Sequence, residues 1–233
     1  GLEREPHDAP ICTVRHESCR DRLKGFDVRV VDLLRPETFD WVRGEPRVLV
    51  SVSSGSDGEE VWARGIDNLA AILDPAAHVV HISSTGVYSE SDGGEVDEES
   101  PLVEGSALVL AERALQQRRS TVLRCSGLVG QARGPQRMLD RLAGNARPDG
   151  WLNLVWMDDV VRAVVDAFDR AILGTFNVSG GAMRRSDFYD PLLRIADLEP
   201  IRWEGENPGR RVRCDRLEAT FGFRPRLVSP RDL

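Results

Sequence analysis

Residues 78–90 read HVVHISSTGVYSE, an apolar run leading into Ser83, Ser84 and Thr85, with Tyr88 close behind. A hydroxyl at the end of a strand, followed four residues later by a phenol, could hold a reacting oxygen and pass it a proton. Ser84 is the candidate for the first task and Tyr88 for the second, with plain core packing as the competing reading of Tyr88. A cation is normally needed beside such a phenol to lower its pKa. Lys24 is the only lysine in the chain and lies far upstream, and Tyr88 and Tyr189 are its only tyrosines. Tyr189, in SDFYDPLLRIADL, reads as a helix residue of the distal region. A serine-hydrolase reading fails because no G-x-S-x-G turn is present and no histidine is set up to serve Ser84.

Composition narrows the partners. With a formal net charge of −7 over 233 residues, no global field attracts nucleic acid or an anionic membrane. No apolar run is long enough to span a bilayer and no signal peptide is visible, so no membrane partner is expected. Cys12, Cys19, Cys125 and Cys214 lack C-x-x-C spacing, which suits a reducing cytoplasm. His7, His16, His78 and His81 form no metal-ligand pattern, and no metal is expected.

The elements that must position Ser84 alternate along the chain. Strand-like ICTVRH (11–16), DVRVVDL (27–33), RVLVSVSS (47–54) and HVVHISS (78–84) are followed by STVLRCSGLVG (120–130), LNLVWM (152–157) and GTFNVSGG (174–181). Helical patterns lie at 59–73, 106–117, 135–144 and 158–171, the last opening on Asp158 and Asp159 as capping carboxylates. SESDGGEVDEES (89–100) reads as an acidic loop. Near-continuous apolar strands separated by helices imply an α/β, Rossmann-like doubly wound parallel sheet. Residues 1–150 form its nucleotide-binding region, and 151–233 complete the sheet and the substrate side. Such a sheet opens with a strand and a Gly-rich turn. Here G-x-G-x-x-G is absent, and GSDG (55–58), flanked by Glu59 and Glu60, is a plain helix entry. The first strand is therefore expected to be missing. That leaves three arrangements: a chain lacking an upstream piece, which the start at GLEREPHDAP favours, a sheet that closes up, or a strand from a partner.

In order along the chain, HISSTGVY, AERAL, TVLRCSGLVG, LNLVWMDDVVRAVVDAF, GTFNVSGG and GRRVRCDRLEATFGFRP resemble segments of the extended short-chain dehydrogenase/reductases, the NAD-dependent epimerase/dehydratase group. The resemblance runs from about Ala9 to the C-terminus and implies an NAD(P)-binding oxidoreductase or sugar-nucleotide-modifying enzyme, with Ser84 at the catalytic Ser/Thr position. It also implies a departure. The family's Tyr-x-x-x-Lys pair falls on Glu104 and Leu108, so a binding or regulatory protein without redox turnover is the alternative.

By the same resemblance, Arg15 and His16 stand where NAD-preferring members carry an acid on the ribose. A guanidinium suits a 2′-phosphate, so NADP is favoured over NAD. Asp32 would lie near the adenine, Ser53 and Ser54 beside the adenosine half, and Ser126 and Gly127 against the nicotinamide amide. The substrate end, for a small molecule such as a sugar or nucleotide-sugar, would be lined by helix 135–144, Arg133, Trp151, Trp156 and the Trp203–Arg211 loop, where Arg210 and Arg211 suit an anion. The resemblance also allows a homodimer through 59–73 and 106–117, with Leu108, Leu110 and Leu115 as its stripe, and core packing explains that stripe equally well.

Overall fold

The computed structural model describes residues 10–52, 58–130, 134 and 136–233. Four strands form the centre: β3 (Arg47–Val50), β4 (His78–Ser84), β6 (Ser120–Cys125) and β10 (Gly174–Val178), all parallel in the order β10-β6-β4-β3. Two further parallel strands, β1 (Ile11–Val14) and β2 (Asp27–Val30), pair with each other through a 3-10 connection at Glu17–Leu23. Among the described residues no ladder joins β1 to β3. The doubly wound parallel architecture is thus present, and it is divided where the expected first strand would lie.

Burial on both faces explains the apolar strands. From β4, Val80 and Ile82 meet α5 (Met157–Asp169) through Val160, Ala163 and Ala167, with Leu217 and Phe221 of α7 (Asp215–Phe221) beyond. Val79 points the other way. It packs among Phe39, Ile66, Leu69, Ala111 and Leu115, which come from the β2–β3 connection, α2 (Ile66–Ile72) and α3 (Ala107–Gln116). Each fully buried aliphatic side chain is worth about 1.5–3 kcal/mol, so this two-faced strand is the main anchor of the sheet. α3 is capped by Ser106, whose Oγ accepts from the Val109 amide at 3.3 Å.

Several elements differ from the sequence expectation. The helix at 59–73 is α1 (Gly58–Glu60) continuing through a π turn at Val61–Gly65 into α2. A Cβ on Gly65 would lie 2.9 Å from the Leu33 Cβ, and the Asn68 side chain donates to the Leu33 carbonyl at 3.0 Å, so close docking of the segment after β2 accompanies the bulge. Strand 120–130 is broken at Ser126, where the chain leaves the central sheet for β7 (Gly127–Val129). The acidic stretch 89–100 is not only loop: β5 (Asp92–Val96) pairs in parallel with β13 (Gly209–Val212). The 203–211 segment likewise holds β12 (Arg202–Glu206), paired with β8 (Ala146–Asp149). Backbone hydrogen bonding in these pairs overrides acidic, turn-like sequences whose local propensity is poor for strands.

The remaining small sheet is β11-β9-β7, with β9 at Trp151–Trp156 and β11 at Ala182–Arg184. α4 (Gln136–Leu142) and α6 (Arg185–Ile195) complete the helices, and α6 covers this sheet through Phe188, Leu192 and Leu193. Pairings β5–β13 and β8–β12 cross residue 150, so the two sequence regions interlock. The stripe offered for self-association is divided: Leu115 is fully buried, Leu108 half-buried and Leu110 exposed.

Candidate functional site

The carboxyl ends of β4 and β6 converge. Ser84 pairs in register with Cys125, which places it beside Ser126 and Gly127 at the point where the chain turns into β7. Ser84 is half-buried, and its Oγ accepts from the Gly86 amide at 3.0 Å, fixing the 3-10 turn Thr85–Val87. The Ser126 amide donates to the Val178 carbonyl at 3.0 Å, while its Oγ is buried with no hydrogen-bond partner. Gly127 is exposed; a Cβ there would meet Leu154 Cδ2 at 2.9 Å, so this bend tolerates no side chain without movement.

Arg15 and Asp32 stand just past the carboxyl ends of β1 and β2, in the separate pair. Arg15 is exposed. Asp32 organises its own turn: its Oδ1 accepts from the Leu34 amide at 3.0 Å, and its amide donates to Thr38 Oγ1 at 3.0 Å. Ser53, Ser54 and Arg133 lie outside the described residues.

Tyr88 is placed differently from a proton donor. Its side chain is fully buried, its hydroxyl donates to Asn177 Oδ1 at 2.6 Å and accepts from Arg124 Nη1 at 3.1 Å, and burial pushes its pKa up. With no exposed surface to meet a ligand, it anchors the core, as the packing reading had it. The aligned Tyr-x-x-x-Lys positions offer no replacement. Glu104 is exposed and held by Arg113 Nη2 at 3.0 and 3.1 Å from its two oxygens. Leu108 packs with Val87 and Val109, and its Cδ1 would lie 3.9 Å from a Cβ on Gly86, beside the Ser84 turn. An apolar side chain therefore borders the Ser84 turn here.

Behind Ser84 lies a buried polar cluster that sequence reasoning missed. Arg124 and Glu112 form an ion pair at 2.8 Å with side chains 4% and 1% exposed. Ser83 Oγ donates to Glu112 Oε1 at 2.5 Å, and Arg124 Nη1 also donates to the Glu98 carbonyl at 3.3 Å. The signal was legible: a glutamate in AERAL and an arginine in VLRC interrupt otherwise buried faces. Arg210 is a second miss. Its Nη1 donates to the carbonyls of Thr85 and Tyr88 at 2.8 and 2.6 Å, clasping the turn after Ser84. The neighbouring Arg211 donates to the Gly93 carbonyl at 3.2 Å and pairs with Glu95 at 3.5 Å.

The expected substrate-end residues separate. Trp156 lines a cavity of about 450 Å³ with Val129, Gly130, Asp158, Arg226 and Leu227. Trp151 instead has the guanidinium groups of Arg184 and Arg211 5.6 and 5.4 Å from its ring centroid. Trp203 packs in the α6 cluster, its Nε1 donating to Asp190 at 2.9 Å. Asp159 was expected to cap α5, but its Oδ2 accepts from the Arg226 amide at 2.8 Å and holds the C-terminal segment against the cavity. Asp159→Ala leaves that amide without its charged acceptor and is expected to cost about 1–3 kcal/mol, read as a lower denaturation midpoint with faster proteolysis after Arg224.

No protein-family profile matches the chain, and no curated protein sequence matches it. Solved structures do. The protein gox2253 superposes with a TM-score of 0.78 at 18% identity, over 94% of this chain and 86% of its own. The Bordetella bronchiseptica enzyme WbmG, solved with NAD and UDP, gives 0.72 at 16% identity over 89% and 77%. The dTDP-glucose 4,6-dehydratase of Bacillus anthracis, solved with NAD, gives 0.72 at 16% identity over 90% and 77%. What is shared is the fold. At these identities the Rossmann-like architecture carries over, and function must be argued from the site.

Proposed function

We propose that this chain is an NAD(P)-binding protein of the epimerase/dehydratase type, with a sugar nucleotide as its second ligand. The observation that carries this reading is the convergence of Ser84, Ser126 and Gly127 at the carboxyl edge of the parallel strands, with the Ser126 hydroxyl buried and unpartnered. Ligands of open α/β sheets bind at that edge, and an orphaned hydroxyl there awaits a polar group. Structures of the same fold hold NAD, or NAD and UDP, which supports both ligand classes.

When bound, the nicotinamide supplies hydride exchange. On the protein side, Ser126 and Gly127 would meet its amide, Asp32 the adenine end, and Arg15 a 2′-phosphate. Ser53 and Ser54 keep their place beside the adenosine by resemblance alone. Ser84 accepts from Gly86, which leaves its own hydrogen for a substrate oxygen. Leu108 and the committed hydroxyl of Tyr88 favour a second reading of the same site, in which the nucleotide is bound without redox turnover.

Energy transfer from the five tryptophans to NADPH or NADH tests the binding. NADPH is expected to bind more tightly. Arg15→Ala should weaken it about tenfold, the loss of roughly one charge-assisted hydrogen bond, and leave NADH nearly unchanged. Absence of transfer from either nucleotide at millimolar concentration would overturn the proposal. Binding without loss of nicotinamide absorbance, across sugar-nucleotide substrates, selects the second reading.

A further inference from the structure

We infer that Arg211, Arg213 and Arg224 form a second ligand site, for the phosphate group of a small phosphate monoester, on the face of β13 turned away from Ser84. The inference stands whether or not a dinucleotide binds. Successive side chains of a strand point to opposite faces. Arg210 and Val212 take the side of the Ser84 turn: Arg210 donates to the carbonyls of Thr85 and Tyr88, and Val212 packs with Val87, Tyr88 and Val96. Arg211 takes the other side, where its Nε donates to the Gly93 carbonyl. Arg213 prolongs the ladder, its amide donating to the Val96 carbonyl at 2.9 Å, and so shares the face of Arg211. Arg210 and Arg211, neighbours in sequence, thus serve different sites.

That face opens on a cavity of about 330 Å³, at the small end of ligand-sized clefts. Arg224, from the segment after α7, lines it as well, and Glu95 and Asp215 are the carboxylates on its wall. Three arginines against two carboxylates make the lining net positive in a chain of formal net charge −7. Cys214 Sγ accepts from the Ser179 amide at 3.1 Å and donates to the Ser179 carbonyl at 3.3 Å, tying the segment after β13 to the end of β10 in that wall. Burial pushes the pKa of this thiol up to about 12, so it stays neutral beside an anion. Gly181, at φ 114°, turns the chain along the cavity without adding a side chain to it.

The ion pairs of the three arginines leave them open to a stronger anion. Arg211 meets Glu95 at 3.5 Å, Arg224 meets Glu218 at 3.8 Å and Arg213 meets Asp215 at 2.5 Å, all with exposed side chains. Exposed pairs of this kind hold their partners weakly, so a dianion can compete for the guanidiniums. A phosphate monoester carries close to two negative charges and three strong acceptor oxygens. The guanidinium fork matches phosphate geometry with paired N–H donors. The remainder of the cavity takes the small organic body that distinguishes a monoester from the free ion.

The test follows amide chemical shifts of the 233-residue chain as ribose 5-phosphate or inorganic phosphate is added. Ribose 5-phosphate should shift Gly181, Ala182 and Arg213 saturably, with half-saturation below about 1 mM. Inorganic phosphate, which leaves the rest of the cavity unfilled, should need about tenfold more. Arg213→Gln with Arg224→Gln should weaken the monoester about tenfold or more. Arg43→Gln with Arg64→Gln, the same charge change at exposed arginines elsewhere, should leave it within about twofold. No saturable shift up to about 10 mM overturns the inference. So does an equal loss in both double variants, which would mean that the shifts report overall charge. Equal affinity for inorganic phosphate overturns the monoester as occupant. Shifts centred on Gly86 and Ser126 overturn the separate site by assigning the anion to the edge beside Ser84.

Discussion

Arg124→Met is expected to lower the free energy of unfolding by about 3–5 kcal/mol, because it strands Glu112 as a buried, uncompensated carboxylate. Arg124 meets that carboxylate through Nε and Nη2 and gives Nη1 to Tyr88 and the Glu98 carbonyl. Removing it therefore also takes one donor from the phenol that ties β4's exit to Asn177 of β10. Urea unfolding measures the loss. The double variant Glu112→Leu/Arg124→Met should regain much of it, since a buried ion pair often does no better than apolar groups of similar volume. A single-variant cost under about 1 kcal/mol would show that the pair is hydrated in solution.

Acidification is expected to weaken the fold as pH drops through the ordinary histidine range. His81 is buried with both ring nitrogens unpartnered, and burial depresses its pKa. His78, also buried, is depressed by burial and then by Arg119, with its Nε2 2.9 Å from Thr121 Oγ1. In the unfolded chain both titrate near 6.5, to within about a unit. Above that pH both states are neutral and these groups leave stability unchanged. Below it the unfolded chain takes up protons that the folded protein refuses, so stability falls toward the depressed folded values, by up to about 1.4 kcal/mol per pH unit for each histidine. Thermal melts at about pH 7.5 and 5.5 check this, and His81→Leu should flatten the dependence. An unchanged profile in that variant would mean that His81 is protonated, or solvated, in the native state.

The fold was legible because its core strands carry strong, simple signals. HVVHISS and STVLRC are buried on both faces, and the sequence shows it as unbroken apolar runs. β5 and β12 were illegible for the opposite reason: DGGEV and RWEGE are polar, glycine-bearing edge segments whose strand state comes from a distant partner. At the site, Ser84, Ser126 and Gly127 could be placed together because they end neighbouring strands. Core packing of Tyr88 was among the readings of the sequence, but its hydrogen-bond partners Arg124 and Asn177, far away in sequence, were not. Arg210 was read, with its neighbour Arg211, as a solvated charge or a contact for an anion, yet its guanidinium turns inward onto two carbonyls. Sequence spacing reports which side chains share an element; it does not report which way a long side chain turns.

The division of the sheet also bears on how the chain folds. β1 and β2 are joined by one short 3-10 connection, so their pairing closes a small loop at little entropic cost. The pairing of β6 with β10 waits for α4, β8, β9 and α5 to be threaded between them. With no ladder between the two groups among the described residues, ordering of the first has no backbone hydrogen-bond route there into the second. Their link is the side-chain cluster in which Val31 and Leu33 meet Phe39, Ile66 and Leu69. The β1–β2 pair is thus expected to behave as a separate cooperative unit, early to form and early to open, and that cluster would then govern how often Arg15 is in place.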